Sequence, residues 1–310
     1  MQKIAPCLWF DNNCEEAVNF YTGLFPNAKI TSVQRYPDGV TEGPMKGMGG
    51  KILTAIFDLD GSTFQAFDGG PLFKPNPSIS FFVNFDPSRD PRAEERLKEM
   101  WAKLSEGGTA LMPLQEYPFS KKYGWVQDRF GISWQLILTD PAGEPRPSII
   151  PSLLFVTETC DKAEEAMNFY LSVFKNARPG TLARYPAGAE PNKEGAIMFA
   201  DFMLENQWFA AMDASASQHA FSFNEGVSLT VECADQAEVD YYWEKLTAGG
   251  SESECGWLKD AYGVSWQIVP KQLGAFMSDP DLEKVARVTA AFMQMKKFDI
   301  AKLQAAYEGT

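Results

Sequence analysis

The sequence predicts an α+β fold made of two tandem copies of one module, and three observations carry that prediction. Blocks of residues recur in the same order in both halves, each half alternates strand and helix periods, and a proline-rich connector parts them. Glu15-Glu16-Ala17-Val18-Asn19-Phe20-Tyr21 returns as Glu164-Glu165-Ala166-Met167-Asn168-Phe169-Tyr170. Arg35-Tyr36-Pro37 returns as Arg184-Tyr185-Pro186. Trp101-Ala102-Lys103-Leu104 with Gly107-Gly108 returns as Trp243-Glu244-Lys245-Leu246 with Gly249-Gly250. Gly124-Trp125, Asp128, Gly131 and Ser133-Trp134-Gln135 return as Gly256-Trp257, Asp260, Gly263 and Ser265-Trp266-Gln267. The stretch from Asp140 to Pro147 has neither period and holds three prolines, which favour an extended connector. The organisation is therefore module one over residues 1–140, a linker over 141–147, module two over 148–271 and a tail over 272–310.

Within module one the elements follow in order. Ile4 to Phe10 is a short apolar run that predicts a buried strand. Asn13 with Glu16 three residues later predicts a capping box opening a helix, and Asp161 with Glu164 opens its counterpart. Ala17, Phe20, Tyr21, Leu24 and Phe25 fall on one face of that helix. Lys51–Asp58 and Ser62–Phe67 read as strands joined by the hairpin dipeptide Asp60-Gly61. Ile79–Phe85 is the next strand, followed by a helix from about Pro91 to Glu106 stopped by Gly107-Gly108. Trp125–Gln127 and Ser133–Leu138 close the module as strands. Each half-module is then βαβββ, and the chain holds four. In the tail, Asp279-Pro280 predicts a helix start, and Leu282, Val285, Val288, Phe292 and Met295 form an apolar stripe that must dock. Asp299 is expected to cap a last short helix carrying Leu303 and Ala306.

Composition narrows the partners. Among 310 residues the formal charge is −13, so phosphate backbones and anionic lipid surfaces are repelled, and neither nucleic acid nor membrane is expected as a partner. No apolar run reaches the roughly 18–20 residues needed to span a bilayer, and no secretory signal pattern opens the chain. Five widely spaced cysteines, an odd number without a CxxC, predict reduced thiols and a cytoplasmic protein, with neither a disulfide scaffold nor a structural zinc site.

The Glu-Glu-Ala-x-Asn-Phe-Tyr helix and the closing Gly-Trp-x-x-Asp-x-x-Gly-x-Ser-Trp-Gln segment of each module resemble the PhnB-like branch of the vicinal oxygen chelate superfamily. That superfamily includes glyoxalase I, bleomycin-resistance proteins and extradiol dioxygenases, and the resemblance extends to the tail around Met295-Lys296-Lys297-Phe298-Asp299. It implies paired βαβββ units forming an open barrel with a cleft inside. In metal-dependent members the cleft carries His and Glu ligands. The corresponding positions here are Ala5 and Ile150 on the first strand, Ser80 and Ser228 on the fifth, and Gln135 and Gln267 on the last. Such side chains are poor partners for metals that prefer imidazole, thiolate or carboxylate, so no metal centre is expected. Proteins of this branch often carry the label 3-demethylubiquinone-9 3-methyltransferase. No glycine-rich strand-to-helix loop for a nucleotide-like methyl donor is present, and no cofactor is expected.

Strand alternation places Ser80, Phe82 and Asn84 in one cleft with Gln135, and Ser228, Thr230 and Glu232 in the other with Gln267. The competing reading is a filled barrel whose polar residues satisfy one another. Trp9, Tyr36 and Trp125, with the repeat counterparts Tyr185 and Trp257, are candidates for an aromatic wall around a ligand, or plain core. Arg35 and Arg184 suit either a ligand carboxylate or an ion pair. His219, the single histidine, is expected exposed on a polar loop, or as a general base at the mouth of the second cleft; Glu232 is the other catalytic candidate. The function expected is metal-independent small-molecule binding, with an isomerase or lyase as the alternative, in a monomer of pseudo-dimeric modules or a homodimer.

Overall fold

The computed structural model describes residues 2–36 and 46–310; Pro37, from the first Tyr-Pro pair, lies outside them. The first half-module comprises β1 (Ile4–Phe10), α1 (Cys14–Leu24), β2 (Lys29–Arg35), β3 (Ile52–Leu59) and β4 (Ser62–Asp68). The second comprises β5 (Ile79–Phe85), α2 (Ala93–Ser105), β6 (Thr109–Tyr117), β7 (Ser120–Gln127) and β8 (Ser133–Leu138). The third repeats the order as β9 (Ile149–Phe155), α3 (Ala163–Val173), β10 (Arg178–Arg184), β11 (Ile197–Leu204) and β12 (Gln207–Asp213). The fourth is β13 (Val227–Cys233), α4 (Gln236–Thr247), β14 (Ser251–Glu252), β15 (Trp257–Lys259) and β16 (Ser265–Pro270). The tail forms α5 (Lys271–Met277), α6 (Leu282–Phe292) and α7 (Ile300–Glu308). The α+β class and the fourfold βαβββ order are as the sequence predicts. No helix is long and apolar enough to cross a membrane among the described residues.

The chain divides into two compact units, Leu8–Val227 and Met1–Cys7 with Ser228–Thr310. In the larger unit one sheet runs in the order β10-β11-β12-β9-β5-β8-β7-β6. Its centre is the antiparallel pair β5 and β9, with Ser80 opposite Ser152, so the second half of repeat one is joined to the first half of repeat two. The β3–β4 turn has Asp60 and Gly61 at φ of 47° and 88°, the left-handed pair that suits a two-residue hairpin. In the smaller unit β14, β15, β16 and β13 are neighbours in that order, and the start of β1 lies beside β13, where the Glu232 N–H donates to the Lys3 carbonyl.

One face of each sheet is sealed by helices. Trp134 and Trp266 are fully buried, and each indole N–H donates to a buried aspartate, Asp128 at 2.9 Å and Asp260 at 2.8 Å. Asp128 also accepts from the Phe130 and Ile132 N–H groups and the Tyr21 hydroxyl, so one carboxylate ties turn, helix and strand together. This accounts for the repeated Asp-x-x-Gly-x-Ser-Trp spacing as structural.

The helix starts differ from the capping boxes read in the sequence. The Asn13 side chain makes no cap bond; the Cys14 N–H donates instead to Asp68 Oδ1 at 3.0 Å, from the end of β4. In the second repeat Lys162 takes the cap position, and the Ala163 N–H donates to Asp213 Oδ1 at the end of β12. A carboxylate delivered by the sheet satisfies the first free N–H in both cases, so the local cap is dispensable. In the tail Asp281, not Asp279, caps α6, accepting from the Glu283 N–H at 3.0 Å. Leu282 at the head of the expected stripe is 77% exposed, because the packed face begins a turn later. Val288, Phe298 and Leu303 are buried with Phe276, and the Cys255 and Gly256 N–H groups donate to Met295 and Lys296 carbonyls, both at 2.7 Å. The tail thus docks on its own unit. Asp299 caps α7 as expected, accepting from Lys302.

Candidate functional site

The face of the larger unit's sheet turned away from its helices carries the candidate site. Alternation fixes its composition: the side chains at 80 and 82 on β5, 133 and 135 on β8, and 150, 152 and 154 on β9 share one face. Phe82, Tyr123, Trp125, Ile150, Leu154, Trp208 and Ala210 form an apolar cluster there. Met112, Ile137, Phe199, Met203, Met212 and Phe221 pack around it, partly open to solvent. Long, adaptable thioethers and aromatic rings at such an edge suit flat apolar surfaces of varied shape.

A polar chain crosses this floor. The Tyr123 hydroxyl donates to Gln135 Oε1 at 2.5 Å, and Gln135 Nε2 donates to Ser80 Oγ at 2.8 Å. Trp125 Nε1 donates to Ser133 Oγ at 2.9 Å. Burial pushes the Tyr123 phenol well above its ordinary value, keeping it a neutral donor. Beside the chain, Ser152 Oγ is buried without a hydrogen-bond partner. An unsatisfied buried hydroxyl is costly in an apolar setting.

His219 belongs here too. Its ring centroid lies 6.5 Å from Trp125 and 5.0 Å from Phe221, and burial holds its pKa below the ordinary imidazole value. It is half-buried, not exposed, and it joins the residues read as the first cleft rather than the mouth of the second. The reason is the cross-repeat pairing: β12, which leads into the histidine's loop, lies next to β9, and β9 next to β5.

The three-residue wall of Trp9, Tyr36 and Trp125 does not form. Trp9 packs edge-on against Phe67 and Phe73, 4.9 and 5.0 Å between centroids, and its indole donates to the Gly70 carbonyl. The Tyr36 hydroxyl donates to the Asp68 carbonyl in the same neighbourhood, whereas Trp125 stands on β7. Gly69 lies so close beneath Trp9 that a Cβ there would sit 2.3 Å from the indole. Tyr185 repeats the Tyr36 arrangement, donating to the Asp213 carbonyl.

The smaller unit holds a second polar cluster. Gln267 Nε2 donates to Ser228 Oγ at 2.9 Å, and Thr230 and Cys7 are buried alongside. Burial pushes the Cys7 thiol up to about 12 despite hydrogen bonds from Gln267, Ser228 and Thr230, so it is an inert thiol rather than a nucleophile. Trp257 lies half-buried opposite Gln267 on β15, and Glu232 is half-exposed near the end of β13. Arg35 and Arg184 are held by Glu15 and Glu164 through paired contacts of 2.7 and 3.1 Å, and 2.5 and 2.8 Å. These are exposed internal ion pairs, worth little in stability.

A groove of about 870 Å³ lies elsewhere in the larger unit, between the end of α1, α2 and the residues Arg146, Pro147 and Ser148 ahead of β9. Several of its charges are paired: Arg96 with Asp90 at 3.0 Å and Arg89 with Asp86 at 3.6 Å, while Asn27 donates to Asp60. It shares no residue with the polar chain.

The residues do not fit the metal centre that the sequence resemblance brings with it. The positions at issue hold a hydroxyl and a carboxamide, and both ends of the Gln135 amide are engaged. No group of three His, Cys, Asp or Glu side chains able to hold an ion occurs among the described residues. Tyr123 and Trp208 are the site residues that sequence reading missed; Tyr123 stands two residues before Trp125, so alternation would have placed it.

Comparison with known proteins follows the same outline. A family model described as 3-demethylubiquinone-9 3-methyltransferase matches residues 2–137 and 147–269. A PhnB protein from Bacillus cereus is 40% identical over 44% of this chain and 100% of that one, with a TM-score of 0.40. A protein from Staphylococcus aureus is 34% identical over 45% of this chain and 98% of its own, with a TM-score of 0.19. Glyoxalase I from Zea mays is 12% identical, but the likeness covers 87% of this chain and 94% of that one at a TM-score of 0.52. That match shows a shared fold. No curated protein matches. The strand-to-helix connections at 11–13, 86–92, 156–162 and 234–235 contain no glycine, so the backbone cradle of a nucleotide-like methyl donor does not fit here.

Proposed function

Because the chain belongs to the family described as 3-demethylubiquinone-9 3-methyltransferase, with a glyoxalase-like two-module fold, we propose that it binds small molecules without a metal ion, on the sheet faces that carry the Gln135 and Gln267 clusters. The observation that carries this reading is the state of Gln135. Where metal-dependent members of the superfamily present a carboxylate, this chain presents a neutral amide tied to Tyr123 and Ser80. Neutral donors and acceptors set in an apolar floor select a ligand by shape and by hydrogen bonds. They neither polarise a carbonyl strongly nor generate hydroxide. No methyl-transfer step is assigned. The formal charge of −13 supports a neutral or weakly polar ligand over nucleic acid or an anionic membrane.

The single histidine supplies the test, because its ring stands beside Trp125 and gives one imidazole signal in the whole chain. Titration of the protein with a panel of small aromatic and aliphatic alcohols should shift the His219 resonance saturably, with the same affinity in excess EDTA. Binding abolished by EDTA, or no saturable shift across the panel, would overturn the proposal.

A further inference from the structure

The tip of the β6–β7 hairpin carries an aromatic that its turn does not require. Pro118 and Phe119 form the two-residue connection, and neither has the positive φ that a tight hairpin imposes. Phe119 is 60% exposed, which forgoes much of the burial a phenyl ring gains in a core. Its ring is not loose, however. It stacks on Tyr117 with centroids 5.6 Å apart and planes 19° from parallel. It meets Tyr123 edge-on at 5.0 Å, and Tyr117 meets Tyr123 edge-on at 5.5 Å. Ser120 Oγ pins the hairpin by donating to the Leu138 carbonyl, and the Tyr117 hydroxyl donates to Pro113. The inner member of this trio is the Tyr123 that begins the polar chain through Gln135 to Ser80.

We infer that Tyr117 and Phe119 form a ring-stacking subsite continuous with the cleft, so that the ligand is elongated: a hydroxyl- or carbonyl-bearing head at the polar chain and a second planar unsaturated ring on the shelf. The inference rests on the reading of the cleft as a small-molecule site. Three observations select a planar ring rather than any apolar tail. The shelf rings are near-parallel, Phe119 is 60% exposed, and edge-on contacts to Tyr123 fix the plane of the stack. A further flat ring extends such a stack at the spacing aromatic pairs favour, whereas a puckered ring does not. Register irregularities between Ala110 and Met112, Met112 and Gln115, and Gln115 and Tyr117 bend the outer strand beside this shelf.

The test compares phenol, 4-phenylphenol and 4-cyclohexylphenol on the full chain and on Phe119→Ala and Phe119→Leu variants, reading affinity from the His219 resonance. Phe119 is exposed, so both variants are expected to fold; matching parent melting temperatures check this. In the parent, 4-phenylphenol should bind more tightly than phenol and than 4-cyclohexylphenol. Phe119→Ala should cut the 4-phenylphenol affinity about three- to tenfold, the range of one aromatic pair, and leave phenol unchanged. Phe119→Leu should behave like the alanine variant, because it keeps apolar bulk without a ring. If phenol binds the parent but 4-phenylphenol gains nothing, or if the variants weaken phenol as much as 4-phenylphenol, the shelf is not a subsite while the cleft reading survives. If none of the three binds the parent, both fail together.

Discussion

Replacing Trp134 tests how the repeated Ser-Trp-Gln segment holds the larger unit together. The indole is fully buried and touches Tyr21, Phe25, Phe64 and Phe81, with centroid separations from 5.3 to 6.5 Å. Trp134→Ala removes that packing and leaves a cavity, at a cost of about 3–5 kcal/mol. The Asp128 oxygen that accepts the indole N–H keeps the Tyr21 hydroxyl at 2.8 Å, so the carboxylate is not left bare. Trp134→Phe therefore isolates the smaller ring and the missing N–H, and should cost about 1–2 kcal/mol, nearer that of one net hydrogen bond. Urea unfolding followed by circular dichroism, with the slope held equal between variants, gives both numbers. An alanine variant that loses less than about 1 kcal/mol, or a phenylalanine variant as damaged as the alanine one, would refute this account of the packing.

Gly256 sits at a φ of +81° with Phe298 so near that an added Cβ would lie 2.4 Å from its ring, so Gly256→Ala should lower the melting temperature and loosen α6 and α7, read by hydrogen exchange. Truncation before Ser278 should likewise lower stability or solubility by baring the surface around Cys255 and Val269; a truncated chain as stable and monodisperse as the parent would show that the docking matters little. His219 should titrate below the ordinary value of 6.5, and because its folded pKa is depressed, its contribution to stability is complete above about 6.5 and lost as pH falls through the folded value. A titration midpoint at or above 6.5 contradicts its half-burial. Gln135→Leu should destabilise by about 1–3 kcal/mol, since it leaves the Tyr123 hydroxyl and Ser80 without their shared partner.

Much of this architecture is legible in the sequence because it is local. The Asp60-Gly61 turn, the strand at Ile79–Phe85 and the Asp299 cap each follow from a few neighbouring residues. What escaped is non-local. Nothing near Asn13 announces that Asp68, 55 positions later, will serve the helix start, although aspartate closes the corresponding strand in both repeats at Asp68 and Asp213. The pairing of β5 with β9 is invisible to periodicity, which reports the faces of a strand and not its neighbour. That pairing decides the company His219 keeps. The separation of Trp9 from Trp125 follows from it as well, for aromatic residues read as one wall stand on strands that alternation cannot assign to a sheet.

Recognition by a neutral, metal-free floor is the proposal most directly open to measurement. The most direct measurement is elemental analysis joined to native mass spectrometry on protein produced in metal-replete medium. The prediction is far less than one equivalent of any transition metal, and a mass that rises by one small molecule when a binding phenol is added. One equivalent of tightly held zinc, nickel, iron or manganese, retained through desalting, would contradict it.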